Sequence, residues 1–166
     1  MKKKISFTNV MFLIAGLLFC ARITNFLTIN LIEGQSMIPT YHEGEIVIGS
    51  NFDKLTNNLD YLDVITAESP SGTPVIKRII GMPGDTIGVD ALGRVYRNGE
   101  ILKEDYINEP ISSEETPDYS TITLGDNEYF ICGDNRNHSL DSRSYGPVTI
   151  EQIKSKVLFR LIKKGS

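Results

Sequence analysis

The sequence predicts a mainly β protein of antiparallel sheets, preceded by one amino-terminal membrane helix. Short runs rich in Val, Ile, Tyr and Thr recur between Gly, Pro and Asn signals, the pattern of an all-β domain. Asn98-Gly99 marks a tight hairpin, and a charge-free apolar run follows a lysine cluster near the start of the chain.

Taking the elements in order, Lys2, Lys3 and Lys4 precede Val10 to Ala21, twelve residues without charge. Twelve apolar residues fit a cleavable signal as well as a spanning helix, which needs about 20. A cleavable signal should end in small residues at alternate positions. Here the run ends Phe19-Cys20-Ala21-Arg22, and Phe19 also spoils a lipoprotein-type site at Cys20. Retention is therefore the expectation, with a helix from about Ile5 to Leu27, Arg22 extending its guanidinium to the interface, and the lysines inside. A buried soluble helix is the alternative. The expected division is 1–27, a cytoplasmic amino terminus and single-pass transmembrane anchor in the cell membrane, and 28–166, an extracytoplasmic β-rich domain.

In the body, strands are expected at Thr28 to Ile32, Glu45 to Ser50, Asp63 to Glu68, Thr73 to Ile80, Asp85 to Val89, Arg94 to Arg97, Thr121 to Leu124, Glu128 to Cys132 and Val157 to Ile162. Asn98-Gly99 joins Arg94–Arg97 to Glu100-Ile101-Leu102, because both positions of a type I′ turn need positive φ. Asn108 to Ser120, with Pro110, Pro117 and four acidic residues, reads as a solvated loop. Thr149 followed by Gln152 resembles a capping box opening a short helix through Lys156.

Charge is split along the chain. Met1 to Ile32 has four basic residues and no acidic one, while Glu33 to Ser166 has thirteen basic and twenty-one acidic residues. So acidic a body lacks the phosphate-binding surface that nucleic acid demands. The 166 residues allow one domain with a real core. Cys20 and Cys132 lie too far apart in their expected elements to pair, and two histidines and two cysteines without ligand spacing assemble no zinc set. No metal or cofactor is expected.

Three widely spaced strings carry chemistry: Gly34-Gln35-Ser36-Met37-Ile38-Pro39-Thr40, Lys77-Arg78-Ile79-Ile80-Gly81-Met82-Pro83-Gly84-Asp85, and Gly133-Asp134-Asn135-Arg136-Asn137-His138-Ser139-Leu140-Asp141-Ser142-Arg143. Strand alternation puts Val75, Lys77 and Ile79 on one face and Ile76, Arg78 and Ile80 on the other. A lysine on a buried apolar face loses its proton more readily, so it can serve as base for a serine nucleophile without histidine. Ser36, between Gly34 and Pro39, should sit where a strand breaks into a turn, with its hydroxyl presented.

These strings, in this order and spacing, resemble the boxes of type I signal peptidases, in a compact form without a large accessory subdomain. The resemblance implies a signal-peptidase-like catalytic domain. It makes Ser36 the nucleophile, forming an acyl-enzyme, and Lys77 the general base that later protonates the leaving amine. It implies that Ser139 hydrogen-bonds and orients the lysine, that Asp141 and Arg143 form a supporting salt bridge, and that Asp134, Asn135 and Arg136 shape the loop, with Arg78 also supporting. The oxyanion falls to the Ser36 N–H, helped in some members by a serine two residues earlier, a position held here by Gly34. Substrates would be secretory preproteins, cut after small residues in an Ala-x-Ala pattern and held extended along strand edges, with Ile32, Val64 and Ile76 as pocket walls. Membrane lipid is the expected surface, with Met37 touching it.

Other readings are weaker. A Ser36, His138, Asp141 triad places the histidine at a position that varies in the family. Asn137-His138-Ser139 matches a short sequon, and Gly81-Met82-Pro83-Gly84 lacks the Gly-Lys-Ser/Thr ending of a phosphate loop. Self-cleaving regulators with the same serine and lysine carry a DNA-binding domain that is not found ahead of Ser36. An anchored β module without catalysis would have no use for an intact serine and lysine.

Overall fold

A computed structural model describes residues 8, 10–12, 14, 16, 26–56, 58–90, 94–107 and 121–163. Among them are eleven strands: β1 (Leu27–Leu31), β2 (Ile46–Ser50), β3 (Val64–Glu68), β4 (Pro74–Gly81), β5 (Thr86–Val89), β6 (Val95–Arg97), β7 (Glu100–Ile101), β8 (Thr121–Thr123), β9 (Glu128–Cys132), β10 (Val148–Thr149) and β11 (Ile153–Ile162). All pair antiparallel, seven in the order β1-β2-β11-β3-β4-β9-β10 and four in the order β7-β6-β5-β8. Single helical turns occur at Phe52–Leu55, Arg136–His138 and Ser142–Tyr145.

Alternation explains the core. Val75 and Ile79 of β4 pack with Ile65, Ile131 and Ile153. Ile80 joins Ile87, Val95 and Phe130 between the two sheets, and Ile76 joins Ile32, Met37, Val47 and Val64 beneath β1 and β2. The Asn98-Gly99 hairpin forms as expected: Arg97 pairs with Glu100, and Asn98 and Gly99 have φ of 55° and 87°.

The expected helix from Thr149 to Lys156 is absent, and β11 starts at Ile153 instead of Val157. Thr149 and Gln152 do bond reciprocally, the Thr149 N–H donating to Gln152 Oε1 and the Gln152 N–H to the Thr149 carbonyl, but they close a turn. A period of two then takes over. Ile153 and Ser155 are buried, while Lys154 and Lys156 point outward to Glu68 and Asp63.

The expected anchor falls mostly outside the described residues; Thr8, Val10, Met11, Phe12, Ile14 and Gly16 are helical. Among the described residues, no helix is long and apolar enough to cross a membrane. The expected loop at 108–120 also lies outside them.

Candidate active site

Ser36 lies in the turn that follows β1. Gly34, at φ +76°, takes the left-handed conformation that turns the chain, and the Ile38–Pro39 peptide is cis. Lys77 sits in β4, only 4% exposed. Its Nζ donates to Ser36 Oγ at 2.7 Å and to the Ile76 carbonyl at 3.0 Å. The two residues, 41 apart in sequence, thus meet in direct hydrogen-bond contact. Burial pushes the Lys77 ammonium below its ordinary value, against the opposing charge of Asp141.

The third string wraps around this pair. Asp141 is fully buried, takes Nε and Nη2 of Arg143 at 2.8 and 2.9 Å, and accepts the Gly133 N–H at 2.9 Å. Burial opposes ionisation of Asp141, but the Arg143 guanidinium, the Ser139 hydroxyl and the Gly133 N–H outweigh it and hold the carboxyl below its usual range. Arg143 also donates to the Arg136 carbonyl, binding the two ends of the loop together.

Arg78 leaves the dyad to its neighbour and forms a fork with buried Asp134, Nε to Oδ1 at 2.8 Å and Nη2 to Oδ2 at 2.5 Å. Asp134 is also bonded by the Thr40 hydroxyl. The Ser36 string, β4 and the Gly133 loop are therefore tied at a second point.

Ser139 is brought to the site, where its buried Oγ faces the Asp141 carboxylate, but Lys77 Nζ bonds Ser36 and Ile76, so the expected bond from Ser139 to the lysine is not formed. A Cβ on Gly133 would collide with Ser139 Oγ and lie 2.5 Å from the Ser36 carbonyl oxygen. Gly133 is thus the residue whose missing side chain lets the loop close on Ser36. Its only sequence signal is its place at the head of the third string.

A groove of about 370 Å³ opens from the dyad, lined by Ser36, Lys77, Ile32 and Ile76 among others. Val64 does not line it; it is buried with Ile76 in the cluster beneath. Met37, expected at the membrane surface, is 1% exposed and packs in that same cluster, because the turn after Ser36 carries it inward.

Sequence reasoning missed Glu104 and Tyr106. Arg136 forks onto Glu104, with Nη1 to Oε2 at 2.7 Å and Nη2 bonded to Oε1, and the Tyr106 hydroxyl donates to Glu104 at 2.6 Å. The Tyr106 ring lies 4.4 Å from the Arg78 guanidinium. Among the described residues, no group of three or more metal-ligating side chains occurs.

The sequence matches the family described as signal peptidase, peptidase S26, over residues 4–162. It is 33% identical over 132 residues to signal peptidase I V of Bacillus subtilis, covering 74% of this chain and 78% of that protein. It is 36% identical over 137 residues to mitochondrial inner membrane protease subunit 1 of Schizosaccharomyces pombe, covering 80% and 72% respectively. A crystal structure of a signal peptidase I from Enterococcus faecalis is similar at 32% identity and a TM-score of 0.50, over 61% of this chain and 97% of that one. With a serine hydrogen-bonded to a buried lysine on a shared β fold and a match over nearly its whole length, the chain belongs to the signal peptidase family and is a serine endopeptidase of it.

Proposed function

We propose that this endopeptidase removes amino-terminal signal peptides from secretory preproteins, cutting after small residues by a Ser36 and Lys77 mechanism. The observation that carries the reading is the 2.7 Å contact between Ser36 Oγ and a lysine amine whose burial favours its neutral form. Neutral Nζ accepts the hydroxyl proton as Oγ attacks the scissile carbonyl. The C–N bond then breaks, the proton passes from Nζ to the leaving amine, and the acyl group stays on Ser36. A water activated by the same amine hydrolyses the ester. The Ser36 N–H is the oxyanion donor, and it donates to no backbone carbonyl among the described residues.

The groove supports strand addition. On one side runs β1, which among the described residues pairs only with β2; on the other runs Pro74–Lys77, which β9 leaves uncovered because it pairs with β4 only from Arg78 onward. An extended peptide between them finds a strand edge on both sides. Ile32 and Ile76 give the walls that limit its side chains to small ones.

Lipid is the second partner. Two rows of apolar side chains cross three strands, Ile29–Ile48–Phe159 and Leu31–Ile46–Ile162, with Ile29 74% and Phe159 53% exposed. Leu31 belongs both to this face and to the groove, so a signal peptide embedded in lipid reaches the dyad without leaving the bilayer surface. An anchor ahead of β1, ending before Leu27 rather than at it and with its lysines in the cytoplasm, puts the body on the far side of the membrane.

The test is cleavage of a preprotein bearing an Ala-x-Ala site by the detergent-solubilised full chain, with products read by mass spectrometry. Cutting after the last alanine by the parent and by neither Ser36→Ala nor Lys77→Ala is the expected result. Cleavage retained in either variant overturns the mechanism.

A further inference from the structure

We infer that Asn135 is a positioning residue for the oxyanion hole, orienting the peptide whose N–H receives the developing charge. The inference rests on the proposed Ser36 and Lys77 mechanism. Asn135 grips both carbonyls that flank the Ser36 amide: its Nδ2 donates to the Gln35 carbonyl at 3.1 Å, and its backbone N–H to the Ser36 carbonyl at 3.0 Å. The Ile38 N–H adds a second donor to the Gln35 carbonyl at 3.2 Å.

The Gln35–Ser36 peptide is trans and planar, so its C=O and N–H point in opposite directions. Fixing the Gln35 oxygen toward Asn135 therefore fixes the Ser36 N–H away from it, and Ser36 lines the groove. With glycine at position 34 no side-chain hydroxyl assists from there, and the aim of this one amide matters more. Asn135 is 3% exposed, and its Oδ1 has no partner among the described residues. A buried amide with an idle oxygen destabilises the fold, and the amide's use lies in the nitrogen that holds Gln35. Gly133, two residues earlier, removes the side chain that would keep this loop from reaching the Ser36 carbonyl.

The test uses the full chain in detergent and the variants Asn135→Asp and Asn135→Ala, which remove the Nδ2 donor with and without preserving shape. Three quantities are read: kcat and KM on the preprotein, affinity for a peptide boronate ending in alanine, and affinity for the corresponding product peptide. The boronate forms a tetrahedral adduct on Ser36 and needs the oxyanion donor; the product peptide does not. The ratio of the two affinities is independent of the fraction of variant folded. In both variants kcat should fall about tenfold or more, short of the loss from deleting a donor outright, with KM within about twofold, and the ratio should fall in step with kcat. A parental ratio in both variants, or a loss confined to KM, overturns the inference while leaving the dyad intact. A boronate that binds Ser36→Ala as tightly as the parent overturns the dyad reading and this inference with it.

Discussion

Arg136 and Glu104 join the active-site loop to the segment after β7 through a fork of two hydrogen bonds, in which neither side chain is more than 6% exposed. Arg136 also donates Nε to the Gly133 carbonyl at 3.1 Å, so the same guanidinium holds the loop from within. Replacing Glu104 by alanine takes the carboxylate from a buried guanidinium. Such losses destabilise by about 3 kcal/mol or more. Urea denaturation of Glu104→Ala should show a loss of that order, with a fall in cleavage rate from a loosened loop.

Lys77 gives a pH signature in both rate and stability. Its folded pKa lies below 10.5, so between the two values the unfolded chain binds the extra proton and stability rises with pH. Cleavage by the parent should rise with pH through a group titrating below 10.5. Lys77→Met should be inactive yet more stable than the parent at low pH, the advantage shrinking to nothing as pH approaches 10.5. Paired melting curves at several pH values check the sign.

Gly133→Ala should lose both activity and stability, since the new methyl meets the Ser36 carbonyl oxygen at 2.5 Å and fouls Ser139 Oγ. Both neighbours belong to the site, so relief moves Ser36 itself. Overpacking of this kind costs about 1–3 kcal/mol. Thermal melting and the preprotein assay, run together, should fall together.

Ser139→Ala should separate the two. The Ser139 hydroxyl makes no bond to Lys77 and lends only partial support to the Asp141 carboxylate, so deleting it should change the melting temperature little. If this hydroxyl engages the lysine during turnover, kcat should fall about tenfold with KM unaffected. An unchanged kcat removes Ser139 from the proposed mechanism.

Strands were legible because alternation of apolar and polar residues is local. Glu128–Cys132 is observed as expected, and the ends of Thr28–Ile32 and Asp63–Glu68 differ by one residue. Thr149 and Gln152 show the limit of local reasoning: their capping chemistry is real, but burial of Ile153 and Ser155 between neighbouring strands decides the conformation that follows. At the site, Ser36, Lys77, Asp141 and Arg143 were visible as residue types in recognisable strings. The partnership of Glu104 with Arg136 was not, because Glu104 stands among exposed charges at Lys103 and Asp105 and only the tertiary fold buries it. The grip of Asn135 on the Gln35 and Ser36 carbonyls was hidden for another reason: backbone acceptors leave no mark in a sequence.

The position of β11 bears on when the peptidase becomes active. The nucleophile stands on the turn between β1 and β2, the base on β4, and in the large sheet β2 and β3 do not pair: β11 lies between them and pairs with both. Ser155 repeats the linkage in side chains, its Oγ bonded to Thr28 of β1 and Thr66 of β3 at 2.9 and 2.7 Å. Because β11 follows every other described strand, serine and lysine are synthesised on two hairpins that only the last strand joins into one sheet. Until β11 is in place, the strands that carry nucleophile and base share no sheet.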